Sequence, residues 1–187
     1  MPLTVASRIT IFRILLIPFF IATVLYYQPR SDFFRFVALG IFLTAAFSDL
    51  LDGYIARRFQ QTSDVGAMLD PLADKVLLMS AFICLYKVGI HFEAIRFPVW
   101  LVVAVISRDV MLLIGSAVIQ LIHGKFKVQP TPWGKLNTFV QACCIVGVLL
   151  QWPYSVIFWY ITLVLTIVTG IDYLRKGFNI LYGEKIA

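Results

Sequence analysis

Residues 49–74 read DLLDGYIARRFQQTSDVGAMLDPLAD, with acids at Asp49, Asp52, Asp70 and Asp74. The first pair stands three residues apart and the second four apart, spacings that put each pair on one face of a helix. Asp49 and Asp52 close an apolar run that begins near residue 33, and Asp70 and Asp74 open another that ends near residue 90. Two antiparallel helices with a short connection would bring the pairs together. A carboxylate near hydrocarbon costs roughly 2.5–3.5 kcal/mol on insertion scales, so four of them demand a cation or a water-filled cavity. Oxygen ligands alone select hard cations, so two Mg2+ or Mn2+ ions are expected rather than Zn2+. Such ions, held about 4 Å apart, suit phosphoryl chemistry. An internal ion-pair network with Arg57, Arg58 and Lys75 is the alternative account of these acids.

Working outward, the chain has 187 residues, of which 60% are hydrophobic and 14% charged, and its mean hydropathy is +0.88. Soluble domains carry about 25% charged residues, so the composition predicts an all-α, polytopic integral membrane protein. A span needs about 20 apolar residues. Runs of that kind fall at roughly 8–28, 33–56, 70–90, 97–122, 136–152 and 154–174, giving six transmembrane helices. Only Gln151, Trp152 and Pro153 separate the last two, so five spans and a re-entrant segment form the alternative. The residues from Pro2 to Arg13 mix Leu3, Val5, Ile9 and Ile11 with Thr4, Ser7, Arg8 and Arg13, as a short amphipathic interfacial segment would. Absence of a long polar linker or a repeat predicts a single domain over 1–187.

Lys and Arg set the orientation. One side receives Arg8, Arg13, Arg57, Arg58, Lys75, Lys125, Lys127, Lys135, Arg175, Lys176 and Lys185; the other receives Arg30, Arg35, Lys87 and Arg96. This asymmetry places both termini and the acids in the cytoplasm, with Arg108 left inside the fourth span. The net charge of +6 suits anionic headgroups or anionic substrates and disfavours nucleic acid as a partner. Cys84, Cys143 and Cys144 lie in apolar stretches without metal-ligand spacing and read as core thiols. Small residues at Gly53, Ala56 and Gly66 permit close approach of a ligand or of a neighbouring helix.

The pattern Asp49, Asp52-Gly53, Ala56-Arg57, Gly66, Asp70, Asp74 resembles the signature of the CDP-alcohol phosphatidyltransferases, D-x2-D-G-x2-A-R-x8-G-x3-D-x3-D, at every fixed position. The resemblance implies a six-helix membrane enzyme, usually a homodimer, that moves a substituted phosphate from a CDP-linked donor to an alcohol and releases CMP. Carried over by position, Asp49, Asp52, Asp70 and Asp74 would hold two divalent ions, with Asp74 also the catalytic base. Asp52, Gly53, Ala56, Arg57 and Gly66 would form the CDP site. Physical chemistry agrees: a carboxylate can take a hydroxyl proton within hydrogen-bond reach, and Arg57 can offer a bidentate fork to phosphate.

Weaker similarities extend further. Thr10, Arg13 and Pro18 resemble the N-terminal pattern of phosphatidylglycerophosphate synthases, N-x-x-T-x-x-R-x-x-x-x-P, although Ser7 stands in the Asn position. Ser107-Arg108-Asp109, the stretch Gly134 to Thr138, and Thr169 to Leu174 resemble both those enzymes and the CDP-diacylglycerol-dependent cardiolipin synthases. The first resemblance implies CDP-diacylglycerol as donor, glycerol 3-phosphate as acceptor and a bacterial inner membrane; the second implies phosphatidylglycerol as acceptor. A doubly charged acceptor phosphate needs cationic anchors, for which Arg108, Lys135, Arg13 and Arg175 are candidates. Arg108 can instead pair with Asp109 or Asp172. Outside this class, a divalent-cation transporter and an assembly scaffold are the alternatives; the transporter would need acids spread through the membrane depth rather than gathered at one face.

Overall fold

A computed structural model describes residues 5–29, 31–59, 64–92, 95–123 and 132–181; within these, the side chains of 5–10, 49–71, 119–123 and 176–181 lie outside the description. Among the described residues the chain is all-helical, with α1 (Val5–Leu25), α2 (Phe33–Phe59), α3 (Asp64–Val88), α4 (Val99–His123), α5 (Pro132–Leu149) and α6 (Val156–Leu181), and no strand. Short 3-10 turns follow α3 at Gly89–His91 and precede α6 at Pro153–Ser155.

The helices follow the apolar runs, but several ends move. α3 starts at Asp64, six residues before its expected opening at Asp70, so Gly66 is helical too and only residues 60–63 separate α2 from α3. α5 begins on Pro132, where the missing N–H costs nothing because a first-turn N–H has no intrahelical partner. Trp133, Gly134 and Lys135 therefore belong to that helix and not to the preceding loop. Of the expected N-terminal segment, Val5 to Arg13 is helical and continuous with α1, while Pro2 to Thr4 lie outside the described residues. Val99–Val118 and Pro153–Arg175 are long and apolar enough to cross a membrane by length and composition. Among the described residues, Ile11–Leu25 and Phe33–Ser48 are apolar helix as well.

The chain packs as two compact units. In the first, residues 1–97 and 145–153, α1 lies against both α2 and α3. Its inner face repeats at helical spacing as Arg13, Ile17, Phe20 and Val24, all buried. Phe20 meets Phe42 of α2 at 5.9 Å between ring centroids, while Ala38 and Ala45 flank Phe42 on the same buried face. Phe82 of α3 stacks on Phe97 at 4.8 Å.

The end of α5 belongs to this unit and is closed by a Schellman cap. Trp152 N–H donates to the Gly147 carbonyl (2.9 Å) and Gln151 N–H to that of Val148 (3.0 Å). Gln151 takes the left-handed conformation at φ 54°, a place where glycine is usual. Its side chain compensates: Nε2 donates to the carbonyls of Val148 (2.8 Å) and Ile95 (3.2 Å), and Oε1 accepts from Ile95 N–H (3.2 Å). These bonds tie the turn after α5 to the segment that leads into α4.

In the second unit, residues 98–144 and 154–187, α4 packs on α6. Gly115 makes that approach possible, since a Cβ there would stand 2.7 Å from Cε1 and Oη of Tyr173. Tyr173 Oη donates to the Leu112 carbonyl at 3.3 Å. The inner face of α6 carries Trp159, Thr162, Leu165, Thr166 and Thr169, whereas Ile157, Ile161, Val164, Ile167, Val168 and Ile171 are exposed. Polar groups inside and branched apolar groups outside invert the pattern of a soluble helix and match a lipid-facing one.

Candidate active site

Two helices position the signature. Asp49, Asp52, Gly53, Ala56 and Arg57 occupy the last three turns of α2, and Gly66, Asp70 and Asp74 the first three of α3. On α2 the first four positions are related by three, four and seven residues, one stripe of the helix. On α3 the steps are four and four, again one stripe. Five peptide steps from Phe59 to Asp64 reach at most about 18 Å, so the end of α2 and the start of α3 lie at the same end of the helix pair. The side chains of Asp49, Asp52, Arg57 and Asp70 lie outside the described residues. Asp74 is described: it is half-buried, one residue from the buried Ala73 and three from the buried Leu77.

The four candidate acceptor cations are placed differently from one another. Arg13 is fully buried on the inner face of α1, among the apolar residues of its own helix. Lys135, in the first turn of α5, and Arg175, near the end of α6, are exposed. Arg108 is buried and its Nη1 pairs with Asp109 Oδ1 at 2.6 Å. Between the two partners left open by sequence, the structure pairs Arg108 with Asp109. Its Nε donates to Thr169 Oγ1 across the α4–α6 contact at 3.1 Å.

That contact belongs to a polar cluster to which sequence reasoning assigned no role. Asn137 of α5, fully buried, donates from Nδ2 to Thr166 Oγ1 at 3.4 Å. Gln141, one turn further on, is also fully buried, and Cys144 Sγ meets Thr162 Oγ1 at 3.2 Å. The available signal was periodic: Asn137 and Gln141 four apart, and Thr162, Thr166 and Thr169 at steps of four and three, mark one polar stripe on each of two apolar helices.

Comparison with known proteins bears on what this arrangement serves. The family profile described as CDP-alcohol phosphatidyltransferase matches residues 3–168. The chain belongs to that family. It is therefore an enzyme of the transferase class, and its signature acids sit on the helices of the matched region. Among curated relatives, a Mycobacterium tuberculosis protein named "Probable phosphatidylglycerophosphate synthase" is 34% identical over 96% of this chain and 84% of its own length. A Haemophilus influenzae protein named CDP-diacylglycerol--glycerol-3-phosphate 3-phosphatidyltransferase is 34% identical over 89% of both chains. An Aquifex aeolicus protein of the same name is 30% identical over 97% of this chain and all of its own length.

The four signature acids carry only carboxylate oxygens, and by donor type they fit hard divalent ions.

Proposed function

We propose that this enzyme transfers the phosphatidyl group of CDP-diacylglycerol to glycerol 3-phosphate, giving phosphatidylglycerophosphate and CMP. The observation that carries the reading is near full-length similarity to relatives named for that reaction, joined to an unbroken family signature on α2 and α3. In this reading the chain is a single catalytic domain of six spans, acts as a homodimer in a bacterial inner membrane, and opens its site to the cytoplasm. The lipid tails of the donor rest against the exposed apolar faces of the helices.

Asp49, Asp52, Asp70 and Asp74 would hold two Mg2+ or Mn2+ ions. When bound, these ions supply charge neutralisation for the donor diphosphate and lower the pKa of a nearby hydroxyl. Gly53, Ala56 and Gly66 leave room for the nucleotide, and Arg57 offers two parallel N–H groups to a phosphate. Asp74 accepts the proton of the glycerol 3-phosphate primary hydroxyl. The hydroxyl oxygen forms a bond to the phosphorus that bears diacylglycerol, and the bond from that phosphorus to the bridging oxygen breaks. CMP leaves with the electron pair. Cationic side chains, Arg108 foremost, hold the acceptor phosphate.

Purified protein given CDP-diacylglycerol and Mg2+ or Mn2+, then glycerol 3-phosphate, phosphatidylglycerol, inositol phosphate or serine in turn, tests the assignment. Phosphatidylglycerophosphate and CMP are expected with glycerol 3-phosphate alone, and EDTA should stop turnover until divalent metal is restored. Cardiolipin formed from phosphatidylglycerol would transfer the protein to the other acceptor class, and metal flux into proteoliposomes without lipid turnover would refute the enzyme reading. Asp74→Asn should abolish CMP release in a protein that still folds; normal turnover would remove Asp74 from the role of base.

A further inference from the structure

Arg108 is held at two of its three nitrogens. Asp109, on its own helix, takes Nη1 at 2.6 Å, and Thr169 of α6 takes Nε at 3.1 Å. Neighbouring residues on a helix point about 100° apart, so Asp109 is reached only because the long arginine side chain folds back. Asp109 alone would leave the guanidinium plane free to swing about that bond. The contact from Thr169 fixes it.

Thr169 is itself oriented. Its Oγ1 lies 2.6 Å from the carbonyl of Leu165 and 3.2 Å from that of Thr166, so the hydroxyl proton is committed to the backbone of α6. The oxygen is then left as an acceptor, turned toward the N–H of Arg108. Thr169 is 3% exposed, so bulk water does not compete for either bond. The third nitrogen, Nη2, makes no hydrogen bond among the described residues, and Arg108 keeps 6% exposure. Thr169 and Asp109 thus occupy the Nε and Nη1 positions and leave the Nη2 end for an incoming anion.

We infer that Thr169 is a positioning residue that aims the Arg108 guanidinium at the phosphate of the acceptor. The inference rests on the proposed reading of Arg108 as an acceptor anchor. It adds that the anchor's affinity is set from α6, by an uncharged residue that touches no substrate. Pairing with Asp109 cancels much of the arginine's long-range attraction, so binding depends on geometry more than on charge.

The test separates the acceptor from the donor. Thr169→Val keeps the shape and removes the acceptor oxygen; KM for glycerol 3-phosphate should rise about tenfold, the scale of one hydrogen bond to a charged group. KM for CDP-diacylglycerol should stay at its wild-type value, and Thr169→Ser should restore the acceptor KM. An unchanged KM for glycerol 3-phosphate in Thr169→Val overturns the inference. So does an equal rise for both substrates, or a serine variant as impaired as valine, since either marks a packing role. Should the valine variant fail to accumulate in membranes, Thr169→Cys, with a weaker acceptor, should still raise the acceptor KM, and wild-type behaviour there overturns the inference too. Arg108→Gln is the separate control. If it leaves KM for glycerol 3-phosphate unchanged, the anchor assignment itself fails; if it raises KM while Thr169→Val does not, only the role of Thr169 fails.

Discussion

Asp109 is fully buried beside Arg108, and the pair lies in the interior of a helix apolar enough to span a membrane. Removing one partner leaves a charge without compensation, so Asp109→Ala should cost about 3–5 kcal/mol of stability. Replacing both by apolar residues of similar volume, as in Arg108→Met with Asp109→Leu, should recover much of that loss. Thermal unfolding in detergent distinguishes the two, and the double variant should be folded yet poor in glycerol 3-phosphate use. A double variant as unstable as the single one would show that the pair, and not its imbalance, supports the fold. The acids of the signature were legible in sequence because a carboxylate within an apolar run stands out by its cost. Thr169 was not, because a threonine can satisfy itself on its own helix backbone and gives no sign of a partner. Its bond to Arg108 joins residues 61 apart and exists only once α4 and α6 have packed.

Packing of those two helices turns on a glycine. The Cβ of Gly115→Ala would stand 2.7 Å from the Tyr173 ring and hydroxyl, so the ring must swing away and give up its bond to the Leu112 carbonyl. Overpacking of this kind costs about 1–3 kcal/mol, more than the helix preference for alanine, about 1 kcal/mol, returns. Gly170 has open space around its missing Cβ, so Gly170→Ala should be neutral or stabilising by up to about 1 kcal/mol. Unfolding temperatures should therefore move in opposite directions for the two substitutions. Equal shifts would mean that Gly115 serves backbone flexibility and not close approach. Apolar periodicity revealed the six helices themselves, but their ends depend on local chemistry that hydropathy does not see. Pro132 opens α5 from within what reads as a loop, and a left-handed glutamine, held by its own side chain, ends it. Asp64 to Leu69 precede the apolar run that starts near residue 70 and are helical all the same, because helical hydrogen bonding does not require an apolar surface.

For the whole molecule, function depends on which side of the membrane receives the signature acids. CMP leaves into the compartment that the site faces, so an orientation toward the cytoplasm is a condition of the proposed reaction, and it is the orientation that the Lys and Arg asymmetry predicts. Single cysteines in a background of Cys84→Ser, Cys143→Ser and Cys144→Ser measure it. Ser31→Cys, exposed in the α1–α2 connection, should react with a membrane-impermeant maleimide in intact cells. Trp133→Cys, exposed in the first turn of α5, should react only after permeabilisation. A cysteine replacing Lys185 should behave like the one at 133 if six spans are present, because an even count returns the chain to its starting side. Labelling of position 185 from outside, with 133 protected, would establish five spans and a re-entrant fifth or sixth segment. Reversal at positions 31 and 133 together would be more damaging. It would put Asp49 and Asp74 on the outer face, where no pool of cytidine nucleotide reaches them.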